Sequence, residues 1–484
     1  MKKVKTTKYG YLAQNTLLFT ISSFSSKLLT FFLVPLYTNI LTTEDYSTAD
    51  IISTSAMILV YVFTLNISSA VLRFAIDSKE SKQRVLSYGL KVMFIGALIV
   101  LFGLLVSWWL DLIKWAGYCY IFLFLIYIAD ALQTIFYQYL RAIDRVKTMT
   151  VAAIISTFIR LLSCVVTLTV FKMGVVGYLL SMFIGPIASV LVSLKGVLPF
   201  KKDEIDKEYE KSLHKNMLNY SIPLIFNQLG WWVNNSINKY FLIWLKGAAL
   251  NGIFAVSYKI SNLMSMLCNI FCQAWGISAI KEFDKNDKDG FFAKVYGAFS
   301  AGLAISCSAL VLINLPLSKI LFAKDFFEAW KYSSLLVFAM QFSGLSSFLG
   351  GIFSATKKNK SLATTTFISA IINIIFNLLL IPKFAATGAA IATAVSFYVG
   401  WLLRLLFSRK YMKFKINLVR DHLVYFLIIV QIILEQTASH MFIAQGFVFV
   451  AICLLYFKQL KMYYEKITSF IYSKLTFLKK RTNS

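Results

Sequence analysis

Apolar runs of roughly 20 residues recur from one end of the chain to the other, and a run of that length crosses a hydrocarbon core about 30 Å thick as an α-helix. The runs fall at about 13–40, 48–72, 88–109, 118–140, 149–171, 174–194, 218–245, 251–280, 293–315, 332–354, 362–382, 386–406, 421–436 and 441–457. They predict an all-α integral membrane protein of about fourteen transmembrane helices. The last two runs are the shortest. The first is too long for the apolar core of a signal peptide and lacks a small-residue cleavage site, so no removable leader is expected.

The stretches between runs set the orientation, because cytoplasmic loops carry the excess of Lys and Arg. With the N-terminus inside, the cytoplasmic stretches hold Lys2, Lys3, Lys5 and Lys8, then Arg73, Lys79, Lys82 and Arg84, then Arg141, Arg145 and Lys147. Lys357, Lys358 and Lys360 follow, with Arg409, Lys410, Lys413, Lys415 and Arg420 beyond them and a basic tail from Lys458 to Arg481. Exterior loops hold scattered lysines such as Lys114, Lys172 and Lys246. Both termini are therefore expected on the cytoplasmic side. Composition agrees with a membrane protein: 58% of residues are hydrophobic and 15% charged, where a soluble chain carries about a quarter charged. The net charge of +27 follows from basic loops beside anionic headgroups and does not call for nucleic acid.

The longest polar interruption, 196–216, follows the sixth run and reads as a cytoplasmic linker. It separates an N-terminal six-helix lobe (1–195) from a C-terminal one (217–410), with an additional helix pair at 411–457 and a basic tail at 458–484. The lobes align as repeats. Ala142 to Lys147 ends the fourth run as Ala355 to Lys360 ends the tenth, and Gly177 stands opposite Gly388 in the next hairpin. Transporters built from such repeats hold substrate between the lobes near the bilayer midplane.

A charge at the bilayer centre costs roughly 2.5–3.5 kcal/mol on insertion scales, so charges inside the runs face protein or water. Lys27 lies in the first run on one helical face with Ser23, Ser26 and Thr30. The seventh run carries Asn227, Gln228, Asn234, Asn235, Asn238 and Lys239, and the eighth carries Tyr258, Lys259, Asn262, Ser265, Asn269 and Gln273. Asp50, Thr54, Tyr61 and Thr64 form a comparable stripe in the second. These stripes mark runs one, two, seven and eight as walls of a wet cavity.

Lys239 and Lys259 flank the exterior turn at Gly247 by about equal distances, so their ammonium groups repel unless an anion or hydration separates them. Two readings stand. Lys27, Lys239 and Lys259, with Asn235 and Asn262 as cavity donors, form a site for a phosphate or diphosphate headgroup; or the lysines snorkel to the interface. Asp130 and Arg160 lie about equally far from the turn between runs four and five, as a structural ion pair or as a pair coupled to protons or substrate. Asn373 and Asn377, one turn apart, are expected to bond across helices. Trp108, Trp109, Trp115 and Trp244 sit at exterior ends, as an interfacial belt does.

The six cysteines fall in or beside apolar runs. Cys268 and Cys272 share a face, but no His or carboxylate clusters with them, so packing is expected in place of a metal site. There is no nucleophile triad, Gly-rich phosphate loop or H-E-x-x-H pattern. No enzyme and no cofactor are expected, while coupling to H+ or Na+ stays open.

Over about residues 10 to 410 the order of these features resembles the bacterial polysaccharide flippases of the multidrug/oligosaccharidyl-lipid/polysaccharide exporter superfamily. The local matches are Lys27 to Asp50 (KLLTFFLVPLYTNILTTEDYSTAD), Gln138 to Lys147 (QYLRAIDRVK) and Asn373 to Thr393 (NIIFNLLLIPKFAATGAAIAT). The resemblance implies a V-shaped pair of six-helix lobes that alternates access in a bacterial inner membrane. It implies movement of undecaprenyl-diphosphate-linked oligosaccharide to the outer leaflet, with membrane lipids and other polysaccharide-assembly proteins as partners. Related lipid II flippases hold the lipid diphosphate with cations in the first, second and eighth helices, and Lys27 and Lys259 occupy similar places here. The second helix departs from that pattern, because its one cation, Arg73, stands at the cytoplasmic end. The alternatives are a cation-coupled multidrug exporter of the same superfamily and a membrane polysaccharide polymerase or glycosyltransferase.

Overall fold

The computed structural model describes residues 31–77, 82–113, 115–197, 207–356, 358–437, 442–457 and 459. Every regular element among them is helical. In chain order these are α1 (Val34–Ile40), α2 (Thr43–Phe63), α3 (Ile67–Asp77), α4 (Lys82–Trp109), α5 (Gly117–Ala142), α6 (Val146–Val165), α7 (Gly174–Lys195), α8 (Lys207–Lys246), α9 (Ala248–Lys281), α10 (Phe291–Leu321), α11 (Trp330–Ala355), α12 (Asn359–Ser408), α13 (Leu418–Thr437) and α14 (Phe442–Leu455). A π-helical turn, Val166–Val170, extends α6, and a 3-10 turn, Lys324–Ala329, precedes α11.

Nine helices among the described residues are long and apolar enough to cross a membrane. The difference from fourteen expected runs has particular causes. The first run lies mostly outside the described residues, α8 is diluted by its asparagines, and α13 and α14 are too polar or too short. α12 counts once but holds two runs. At 50 residues a straight helix would reach about 75 Å, far beyond one bilayer. The chain breaks at Ala385 (φ 50, ψ −129), and a Cβ on Gly388 would lie against the Leu380 carbonyl. Residues eight apart in a straight helix are about 12 Å apart, so the chain has turned back there.

The second run is also divided. Thr64 closes α2, Leu65 (φ 52) and Asn66 (φ 49) both take the left-handed conformation, and α3 restarts at Ile67. Asn tolerates that conformation better than most residues. At the opposite end of α2, Thr42 Oγ1 accepts from the Asp45 amide at 3.1 Å and Asp45 Oδ2 accepts from the Thr42 amide at 3.2 Å. This capping box satisfies two otherwise orphaned donors, and Glu44 and Asp45 suit the positive end of the helix.

The chain forms two compact units that do not follow chain order. The first holds Met1–Lys259, Lys319–Ala329 and Thr366–Ala392; the second holds Ile260–Ser318, Trp330–Thr365 and Thr393–Ser484. In the first, α5 packs on α2, α3, α4 and α7. In the second, Trp275 stacks on Phe348 at 4.1 Å and Phe271 on Phe299 at 4.0 Å, while Trp275 Nε1 donates to the Phe348 carbonyl. α13 is fastened to α10 by buried polar bonds: Ser308 Oγ donates to Gln431 Oε1 at 2.6 Å, and Asn314 Nδ2 donates to Glu435 Oε1 at 2.7 Å. Trp108, Trp109 and Trp244 are all exposed near helix ends, as the belt reading expects.

Candidate functional site

The first unit gathers most of the charges that the sequence places inside apolar runs. α2 provides the frame. Tyr46, Asp50 and Thr54 follow one another at four-residue spacing and so share a helical face. Ser47 accepts from Asn251 Nδ2 at 2.9 Å, Ser55 bonds Tyr240 at 2.7 Å, and Trp232 Nε1 donates to the Thr54 carbonyl at 3.0 Å. Gly252 carries no Cβ where one would strike the Thr43 carbonyl, which lets α9 approach α2 closely. α2 is thus held against α8 and the first turns of α9.

Lys239 lies 3.0 Å from Asp50 Oδ1 and 2.8 Å from Oδ2, both side chains being nearly buried. The repulsion expected between Lys239 and Lys259 is therefore relieved by a carboxylate for which the sequence had suggested no partner. Lys259 is different. Its ammonium stands over the rings of Tyr46 (5.7 Å) and Tyr37 (6.0 Å) and makes no hydrogen bond or ion pair among the described residues. Tyr37 and Tyr46 stack at 5.0 Å, with Tyr178 tilted against both and Phe326 edge-on to Tyr46. Ring faces attract a desolvated ammonium by about 2 kcal/mol. That offsets part of its desolvation, and the Asp50 carboxylate adds attraction from beyond contact distance.

Arg160 is the second such cation. No ion pair at contact distance joins it to a described residue, but it lies within Coulombic range of the Asp130 carboxylate as well as of Lys259 and Tyr178. The expected Asp130–Arg160 ion pair is not formed. Arg160 faces α7, where Gly185 leaves room for its Cβ, whereas Asp130 lies near Tyr61 of α2. Equal depth on adjacent helices brought the two within Coulombic range but not into contact.

The other expected residues scatter. Lys27 lies outside the described residues. Asn235 Nδ2 donates to the Trp231 carbonyl of its own helix at 2.8 Å, and Asn262 is an exposed residue of the second unit. Asn377 Nδ2 donates to the carbonyl and side chain of Asn373, again along one helix. Asn234 bonds across helices, donating to the Thr366 carbonyl and accepting from Ser369, and so does Asn238, which donates to the Tyr258 hydroxyl at 2.8 Å.

These helices and the cations among them define a multi-pass membrane protein with a transporter fold. The chain superposes on a lipid II flippase, MurJ, in an inward closed conformation with a TM-score of 0.68, covering 93% of this chain and 100% of that one at 16% identity. Residues 12–275 match the polysaccharide biosynthesis protein family, and the chain belongs to that family. Among curated relatives, an uncharacterized membrane protein of Methanocaldococcus jannaschii is 22% identical over 49% of this chain and 47% of its own length. The probable low-salt glycan biosynthesis flippase Agl15 of Haloferax volcanii is 24% identical over 45% of this chain and 47% of its own. The chain thus spans about half the length of the curated relatives it matches.

Proposed function

We propose that the protein is a flippase that carries a lipid-linked glycan across a membrane by alternating access, with the lipid diphosphate held by Lys259 and Arg160. The carrying observation is a pair of cations in the first unit that no described carboxylate contacts directly, one of them set over two tyrosine rings. A diphosphate supplies the direct contacts that the protein leaves open, and charge-assisted contacts are the stronger class of hydrogen bond. Asp50 neutralises Lys239 and fixes it as a positioning group. Family membership and the relatives' printed roles in glycan biosynthesis and flipping support the same reading.

The substrate in this reading is undecaprenyl-diphosphate-linked oligosaccharide, and the setting is a bacterial inner membrane with both termini cytoplasmic. The working lobes are 1–195 and 217–410, joined by the linker at 196–216 and followed by a helix pair at 411–457. Lys27 belongs to the same cationic set.

Replacing Lys259 by Ala in the native host tests the proposal. Surface polysaccharide is expected to disappear, lipid-linked intermediate to accumulate, and protein level to stay unchanged. Normal polysaccharide with the variant as sole copy overturns the assignment.

A further inference from the structure

Away from the cation pair, the second unit presents a basic pocket where two helix connections meet. The α9–α10 connection and the α12–α13 connection are joined by the Lys413 amide, which donates to the Lys285 carbonyl at 2.8 Å. Between them lies a pocket of about 850 Å³, lined by Lys288, Arg409, Lys413 and Lys415 over an apolar floor that includes Met412 and Phe414. A second pocket of about 580 Å³ continues it past Ala293, Lys415 and Ile416 to Arg420.

Its charges are unbalanced for a definite reason. Asp287 is the one acid in the lining, and its two oxygens accept from the Phe292 and Ala293 amides at 2.9 and 3.0 Å, capping α10. Asp284 likewise accepts from the Asn286 and Lys288 amides. Asp284 and Asp287 thus serve backbone donors, and Lys288, Arg409, Lys413 and Lys415 form no ion pair with any described residue. α10 and α12 contain spans long and apolar enough to cross a bilayer, and the pocket lies at the first turn of α10 and just past the last turn of α12. Phospholipid headgroups lie beyond the ends of such spans. Val419, 83% exposed in the first turn of α13, adds an apolar surface beside the cations.

We infer that this pocket binds the headgroup of an anionic phospholipid, its phosphate against Arg409, Lys413 and Lys415 and its glycerol end against the apolar floor. A cationic rim over an apolar floor at headgroup depth matches the amphipathic boundary of a lipid and gives a neutral headgroup no counterpart. The site uses none of the residues of the first unit's cation cluster and does not rest on the flippase reading.

Thermal unfolding of the full chain in neutral detergent tests it, with short-chain phosphatidylglycerol, phosphatidylcholine or inorganic phosphate added. Phosphatidylglycerol is expected to raise the midpoint by several degrees and phosphatidylcholine to leave it nearly unchanged. A triple variant, Arg409→Gln with Lys413→Gln and Lys415→Gln, is expected to lose that increment while keeping its own midpoint. Lys410→Gln, on the same turn but packed over the Phe407 ring, is expected to retain it. Equal stabilisation by inorganic phosphate marks a free-phosphate site and overturns the lipid assignment. Equal stabilisation by phosphatidylcholine, or an increment that survives in the triple variant, overturns it too. If the triple variant does not fold, native mass spectrometry of the unaltered protein decides: retention of phosphatidylglycerol in preference to phosphatidylcholine supports the site, and no preference overturns it.

Discussion

Arg404 and Lys259 are both cations within apolar helices, and their surroundings treat them in opposite ways. Arg404, in the second unit, is 4% exposed and donates to the Ser346 carbonyl at 2.8 Å and to Thr365. In the same unit Asp421 accepts from Arg420 at 2.8 Å and from Tyr456 at 3.0 Å, and Glu435 accepts from Asn314. Lys259 and Arg160, in the first unit, have no such partners among the described residues. A charge matched by its neighbours holds structure together. A desolvated charge left unmatched is costly to keep and attracts an ion of opposite sign. The contrast separates the structural polar groups of the second unit from the binding groups of the first.

The largest effect that bears on this contrast is expected at Asp421. Asp421→Ala strips Arg420 and Tyr456 of their acceptor, and breaking a buried pair costs about 3–5 kcal/mol. Thermal unfolding in detergent should register that loss, while transport per folded molecule stays unchanged. A collapse of transport in the folded fraction would break the contrast. Lys259→Ala should show the reverse pattern, with little change in unfolding and a roughly ten- to hundred-fold loss of substrate affinity, from about 1.5–3 kcal/mol for a charge-assisted contact.

A cycle through Asp50 and Lys239 sharpens the division inside the first unit. Asp50→Leu alone leaves an unpaired lysine and is expected to destabilise, whereas Asp50→Leu with Lys239→Met recovers much of the loss. Their coupling should fall within about 0.5–3 kcal/mol, the range for residues in contact. Additive effects would show that the pair contributes nothing as a pair.

The smallest effect concerns pH. The Lys288 and Asn286 amides donate to Asp284 and hold its carboxyl below the usual carboxylate range. A depressed folded-state value contributes stability that is complete at neutral pH and fades as pH falls through the acid range below about 4. Asp284→Asn is expected to lower the neutral plateau of the stability curve slightly and so to flatten its acid limb, the two proteins converging at low pH. An unaltered acid limb would remove Asp284 from that account.

Much of the architecture was readable because hydropathy varies with membrane crossings. The apolar length of α4, α5 and α7 follows directly from their residues. The break between α2 and α3 was not readable, since Thr64, Leu65 and Asn66 continue an apolar stretch without Gly or Pro. The lysines of the site were visible as charges in apolar runs, but Asp50 as the partner of Lys239 was missed. A signal existed: Asp50 is seven residues inside α2 and Lys239 seven residues before the end of α8, so the two share similar depth. Depth alone also suggested Asp130 with Arg160, which come within Coulombic range but not into contact, because helix rotation decides which faces meet. The tyrosines around Lys259 come from α1, α2 and α7, and no local pattern joins them.

The central claim is that two cations with no contacting carboxylate bind a lipid diphosphate, and titration of purified protein with a short-chain polyprenyl diphosphate tests it most directly. Lys259→Ala and Arg160→Gln are each predicted to weaken binding roughly ten- to hundred-fold, with both variants folded and the corresponding neutral polyprenol bound equally by all three proteins. Unchanged diphosphate affinity in folded Lys259→Ala would contradict the account.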